Sequence, residues 1–251
     1  MGWDRKIAVF MGALLMTVSA AAQPGSGARP DLATIVQKME QAQLAGREDA
    51  RPYVVTRDYR FFEGQEKAQA DSEVTAEVSY YPPNTKQFAI REAKGNGRGE
   101  RVVKKVLEHE QQMSSSWREN AITADNYKFS LLGEETLNGR RCFVLGLEPR
   151  RNAKELLEGK AWVDASNYRI LLIHGQPAKN PSFWIKKVDV TLYFSEVEGM
   201  WLQTAIRAVA DVRLFGTHIL SERDLKYRVG DESVAKRVPR RPETTIATYV
   251  R

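Results

Sequence analysis

The residues most able to do chemistry in this chain are three histidines, one cysteine and scattered carboxylates. His109 stands in Glu108-His109-Glu110, on a stretch patterned as a helix. A zinc protease of the H-E-x-x-H kind needs a second histidine four residues on, and that position is Met113. His174 precedes Gly175 at a strand end, and His218 lies beside Gly216 in a turn, so no two of the three share the spacing of metal ligands. Cys142 is the single cysteine, so no disulfide can form within the chain. Its setting, Arg141-Cys142-Phe143-Val144, is that of a small apolar residue in a strand, with no histidine paired to it. The serines include no G-x-S-x-G elbow, and Ser114-Ser115-Ser116 reads as a loop. Glu134-Glu135, and Glu196 with Glu198, sit at turns, where solvated charge explains them; a hydrolase built on such groups is recognised by geometry and not by spacing. Gly95, Gly97 and Gly99 lack both the dinucleotide-binding spacing and the P-loop Lys-Ser/Thr, and read as a flexible turn. The chain reads as a non-enzyme with no cofactor and no metal.

What remains is apolar. The tryptophans Trp117, Trp162, Trp184 and Trp201 stand out, and most aromatics fall on strand-like runs. A filled core and the lining of a cavity need the same residue types, so both readings stand at this level. The elements that must position them begin with a helix over 31–45, capped by Asp31 and stopped at Gly46, with Leu32, Ile35, Val36, Met39 and Ala42 as its stripe. From Tyr53 the period changes to two. Tyr53, Val55, Tyr59 and Phe61 alternate with Thr56, Asp58 and Arg60, and Val74, Ala76, Val78 and Tyr80 alternate with polar residues. Phe88 and Ile90 continue the pattern. A second helix is expected over 100–113, with Val102, Val103, Val106 and Leu107 on one side. Beyond it come Tyr127 to Leu131, the Asn138-Gly139 hairpin, Phe143 to Leu147, a helical or looped piece over 153–158, and strands over 160–164 and 168–174. Three more follow, through Val188 to Phe194, Ile206 to Leu214, and Ile219 to Val229. About ten short-linked antiparallel strands make one twisted sheet with a single apolar face, which the helices must cover.

The N-terminus sets the compartment. Arg5 and Lys6 precede an apolar run over 7–18, and Ala20 and Ala22 satisfy the small-x-small rule, so a signal peptide over 1–22 is expected, cleaved before Gln23. The run is too short for a membrane span of roughly 20 residues. The domain is then expected over 23–230, and a loosely ordered tail over 231–251 carries the basic block Lys236, Arg237, Arg240 and Arg241. A net charge of +6, spread along the chain, suits anionic headgroups or acidic partners. An exported chain without a nucleic-acid motif has no nucleic-acid role.

Four segments stand out together: Asp125-Asn126-Tyr127 with Leu132-Gly133-Glu134, Asn138-Gly139-Arg140-Arg141-Cys142, Gly159-Lys160-Ala161-Trp162-Val163-Asp164 and Pro181-Ser182-Phe183-Trp184. Taken together they resemble a family of exported bacterial outer-membrane lipoprotein-sorting proteins. The order of elements resembles the wider LolA/LolB-like lipoprotein-carrier superfamily. The resemblance implies a periplasmic α+β protein, mainly antiparallel β. It would be an unclosed half barrel whose concave apolar face is covered by helices and holds acyl chains of lipids or lipoproteins. It implies no catalytic residue and no cofactor. Residues expected to line the hollow are Tyr59, Phe61, Val78, Tyr80, Phe88, Ile90, Val103, Val106, Leu107, Leu145, Trp162, Ile170, Leu172, Trp184, Val190, Leu192 and Ile206. The helix after Gly95 to Gly99 is expected to be a lid on that glycine hinge. Beyond acyl chains, an envelope protein and a peripheral contact with the membrane are the expected partners. A non-enzymatic envelope-stress sensor or interaction module with the same fold is the competing reading. The chain departs from the family in two respects. The chaperone's arginine-to-helix latch has no counterpart by spacing, since Arg57 and Arg91 read as arginines on early strands, and the small residues before Gln23 are followed by no cysteine for lipidation.

Overall fold

The computed structural model describes residues 29–230, and its elements all lie in the compact unit that begins at Asp31. The expected signal segment and the C-terminal tail fall outside the described residues.

Alternation builds the sheet. In β2 (Ser72–Tyr81) every second residue from Ser72 to Tyr80 is buried, the pattern of a strand with one covered face. The flanking strands are β1 (Tyr53–Glu63) and β3 (Thr85–Gly95). The others are β4 (Tyr127–Leu137), β5 (Arg140–Pro149), β6 (Leu157–Asp164), β7 (Ile170–Pro177), β8 (Ile185–Val197), β9 (Met200–Val212) and β10 (Gly216–Val229). They form one ten-stranded sheet in the order β3-β2-β1-β10-β9-β8-β7-β6-β5-β4, every neighbour antiparallel. The sheet is not closed: β3 and β4 are its two outer strands. Asn138 and Gly139 make the tight β4–β5 turn with positive φ at both positions (51° and 79°), as an Asn-Gly hairpin requires.

Among the described residues three helices complete the fold: α1 (Leu32–Glu48), α2 (Gly97–Ser115) and the single turn α3 (Trp117–Asn120). Asp31 caps α1 through Thr34 N–H, as expected, but Gly46 does not end it. The helix runs two residues further and closes at Asp49, whose N–H reaches the Ala45 carbonyl. α2 also begins earlier than its apolar stripe suggests, because the Asn96 side chain accepts from the N–H groups of Arg98 and Gly99. The Ser114-Ser115-Ser116 run, expected as a loop, is largely the last turn of α2. The α2–α3 stretch links the two outer strands of the sheet.

One register line crosses the whole apolar face. It runs Leu131, Leu145, Ala161, Ile173, Leu192, Ile206, Glu222, Tyr59 and Val74, each opposite the next. The core on this face falls into two clusters. Under α1, Ile35 and Met39 pack with Phe143, Leu145, Ala161, Val163 and Ile173. Under α2, Val103 and Leu107 pack with Tyr59, Phe61, Val74, Ala76 and Val78. Between the two lies a strip of β8 and β9, where Val190 and Ile206 are only half-buried.

Candidate functional site: a cavity between the helices and the sheet

α1 and α2 approach one another over the sheet but do not seal it. Between them is a cavity of about 420 Å³. Its apolar wall includes Tyr53, Tyr80, Met113, Trp117, Ile122, Ile170, Ile173, Phe194, Trp201 and Leu202. Cations also face it: Arg47 from α1, Arg57 from β1, Lys86 from β3 and Arg169 from the turn before β7, with Glu110 of α2. Arg47 lies over the Trp117 ring at 4.2 Å, donates to the Pro83 carbonyl at 2.6 Å, and is partly withdrawn from water, which lowers its pKa. Arg169 lies over Trp201 at 5.5 Å. Volume and composition are those of a site for a small or chain-like ligand: a largely apolar lining with a few placed polar groups.

A buried ion network sits beside this cavity. Arg57 stands where β1 slips register against β10, and its side chain is almost wholly buried. Its Nε donates to Asp224 Oδ1 at 2.7 Å, and its guanidinium donates to Glu110 Oε2 at 2.5 Å. Lys86 donates to the other oxygen of Glu110, and Tyr227 donates to Asp224. Burial alone would raise the Glu110 pKa, but Lys86 and Arg57 outweigh it and hold the carboxyl at about 2. Glu222 fares differently. Among the described residues its one ion pair is with Arg57 Nε at 3.3 Å, and neither oxygen has a hydrogen-bond partner. Burial therefore dominates and lifts it to about 7. The Tyr59 hydroxyl, on the residue opposite Glu222, also lacks a partner, and burial raises its pKa. The network ties α2 to β1 and β3 at one point, Glu110. Arg57 is thus not merely an arginine on an early strand, since it reaches the covering helix.

The sequence-predicted residues divide into four groups. Tyr59, Phe61, Val78, Tyr80, Val103 and Leu107 are buried in the cluster under α2, with Phe88, Ile90 and Val106 packed against its edge. Leu145 and Ile170 are buried under α1, with Leu192 at that cluster's margin. Val190 and Ile206 are on the same face, in the half-covered strip. The other three are corrections of placement. Trp162 and Leu172 pair with one another and, through Leu172, with Tyr193, on the opposite face of the sheet. There the Trp162 ring donates to Glu135 at 2.8 Å. The runs Trp162-Val163 and Leu171-Leu172 are apolar at consecutive positions, so alternation cannot choose their face. Trp184 precedes β8 in an exposed loop. Only Tyr80 and Ile170 of the seventeen touch the cavity itself. The cations were missed, though Arg57 had a signal: it occupies an apolar position in the alternation of Val55, Tyr59 and Phe61.

The glycine run also differs from expectation. Gly97 and Gly99 lie inside α2, not in a hinge. A Cβ on Gly99 would stand 2.3 Å from the Ser72 Cβ, so this glycine lets the helix start close against β2. Cys142 is buried, with its thiol pushed up by burial and directed to the Arg140 carbonyl at 3.4 Å. His174 meets Thr191 at 3.0 Å, and His218 stacks on Phe61.

No family model matches the chain, and no curated protein matches it. Solved structures do. The chain is similar to an outer-membrane lipoprotein-sorting protein domain from Vibrio parahaemolyticus, at 13% identity and a TM-score of 0.40, covering 80% of this chain and 96% of that one. It is similar to a DUF1329 family protein from Desulfovibrio piger, at 12% identity and a TM-score of 0.43, covering 80% and 94%. A LolA superfamily protein from Nitrosomonas europaea is similar at 14% identity and a TM-score of 0.35, covering 81% and 95%.

Proposed function

We propose that this protein is a non-enzymatic carrier of the bacterial envelope that holds the acyl chain of a lipid or lipoprotein between its helices and its sheet. The observation that carries the reading is the 420 Å³ cavity with aromatic and aliphatic walls and arginines over tryptophans. An acyl chain gains about 0.8 kcal/mol for each CH₂ removed from water, and Arg47 and Arg169 supply charge for an acidic or phosphate-bearing end. Arg57 and Lys86 are already engaged by carboxylates and serve the protein's own architecture. Outer-membrane lipoprotein sorting, with the periplasm as the place, is the finer form of this reading.

The test is mass spectrometry of lipids extracted from the purified protein, followed by displacement of a fluorescent fatty acid. Leu202→Asp, a half-buried cavity residue, is expected to weaken probe binding about tenfold, a loss of roughly 1.4 kcal/mol. Tyr193→Asp, on the opposite face, should bind as the unmodified protein does. A protein that carries no lipid and takes up no probe is not a carrier. Capture of a protein partner in its place would favour the sensor or interaction-module reading.

A further inference from the structure

We infer that the β7–β8 loop and the β9–β10 turn together form a tip that seats this protein on an anionic lipid bilayer. The inference stands on surface chemistry and does not rest on the cavity, which lies toward the other ends of β8 and β9.

Four large apolar residues stand in water there. Phe183 is 77% exposed, Trp184 54%, Leu214 90% and Phe215 63%. They belong to two separate connections that the structure stitches into one. The backbone N–H of Arg213 donates to the Trp184 carbonyl at 2.8 Å, and its Nε donates to the Phe183 carbonyl at 2.9 Å. The same guanidinium lies over the Phe183 ring at 5.1 Å, and Phe183 meets Trp184 edge-on. Arg213 therefore ties the two connections together and brings the four exposed apolar side chains to one end of the sheet, and exposed apolar surface gathered in this way marks an interaction site.

Leu214 is a second, independent sign. The Phe215 N–H closes a turn onto the Val212 carbonyl, so Leu214 occupies its third position, with φ of 67°. That position belongs to glycine or asparagine, and a branched side chain there is strained. The chain thus keeps a leucine where folding favours a glycine and where water surrounds it on nearly every side. Neither stability nor solubility accounts for that choice; insertion into an apolar phase does.

Charge names the phase. Lys179 and Arg213 stand on these two connections; Lys186 and Lys187 follow at the start of β8, paired with Asp211 and Asp189, and Arg98 at the start of α2, paired with Glu63, lies over the Phe215 ring. Tryptophan, phenylalanine and leucine ringed by lysine and arginine is the composition that settles at a headgroup boundary and prefers anionic lipid.

The test is co-sedimentation of the full chain with vesicles of phosphatidylcholine alone and with added phosphatidylglycerol. Binding is expected to the anionic vesicles, weaker in high salt, and at least tenfold weaker for Leu214→Gly combined with Phe183→Ser. Leu214→Gly alone should melt no lower than the unmodified protein, which separates lost binding from lost folding. The Trp184 emission should shift to the blue on anionic vesicles, and that component should vanish in Trp184→Phe. Uptake of a free fatty acid by the double variant should be unchanged, so failure here and failure of the carrier reading are told apart. Vesicle binding equal to the unmodified protein in the double variant overturns the inference. So does an unmodified chain that ignores anionic vesicles, or one that dimerises through the tip, seen as a mass halved by the double substitution, without binding lipid.

Discussion

Glu222 shows how one buried carboxyl can set a pH response. Its neighbours are Arg57, Asp224, Glu110 and Lys86, and burial lifts it from an ordinary 4.5 to about 7. A folded-state pKa above the unfolded one means that the folded protein binds more protons between those values. Its stability contribution is therefore present below about pH 4.5 and is lost as pH rises toward 7. The shift is worth roughly 3 kcal/mol at its upper bound. Glu110 works in the opposite sense: held at about 2, it supports the fold above its ordinary range and stops doing so in strong acid. Between pH 5 and 8, Glu222 makes stability fall as pH rises, while His109, whose pKa burial lowers, pulls the other way. Glu222→Gln is expected to melt higher than the unmodified protein at pH 8 and to flatten the decline of melting temperature across that range. Thermal denaturation at several pH values checks this, and an unchanged slope would place the titration elsewhere.

Among the elements, α2 is the most exacting in its seat. Gly99 admits no side chain without moving Ser72, which itself donates to the Asn96 carbonyl that precedes the helix. Gly99→Ala is expected to lower stability by about 1–3 kcal/mol in chemical denaturation, the range for overpacking at a tight contact. Most elements are legible in the sequence. The alternation of Val74, Ala76, Val78 and Tyr80 and the stripe of Ile35, Val36 and Met39 each name one buried face, and the structure buries those faces. Legibility fails where the pattern is doubled or the signal is nonlocal. Trp162-Val163 and Leu171-Leu172 offer apolar side chains to both faces, so the register alone decides which face each serves. Arg47, Arg169 and Trp201 meet at the cavity from distant parts of the chain, and no spacing in the sequence foretells that meeting. Trp184 is expected by type to line the hollow, yet it stands exposed in the loop before β8, where its carbonyl accepts from the Arg213 N–H and its own N–H donates to Ser182.

At the scale of the molecule, the two clusters leave β8 and β9 as a strip between them with few fully buried residues. Every residue of β9 after Met200 is half-buried. Local opening is cheapest where the fewest apolar contacts are lost. Amide hydrogen exchange is expected to be quicker in β8 and β9 than in β1, β2, β5 and β6, and to slow there when a fatty acid binds. Exchange that is uniform across the sheet, or indifferent to ligand, would contradict a guest lying on that strip.

The pairing of β1 with β10 brings the earliest strand made against the last. A ribosome that has delivered everything up to residue 215 has produced β1, β2, β3 and α2, but not the strand that fastens them to the rest. Such long-range closure is slow to find. The wing of β1, β2 and β3 carries its own cover in α2, but the wall that β1 gives the cavity joins the rest of the sheet only once β10 is in place.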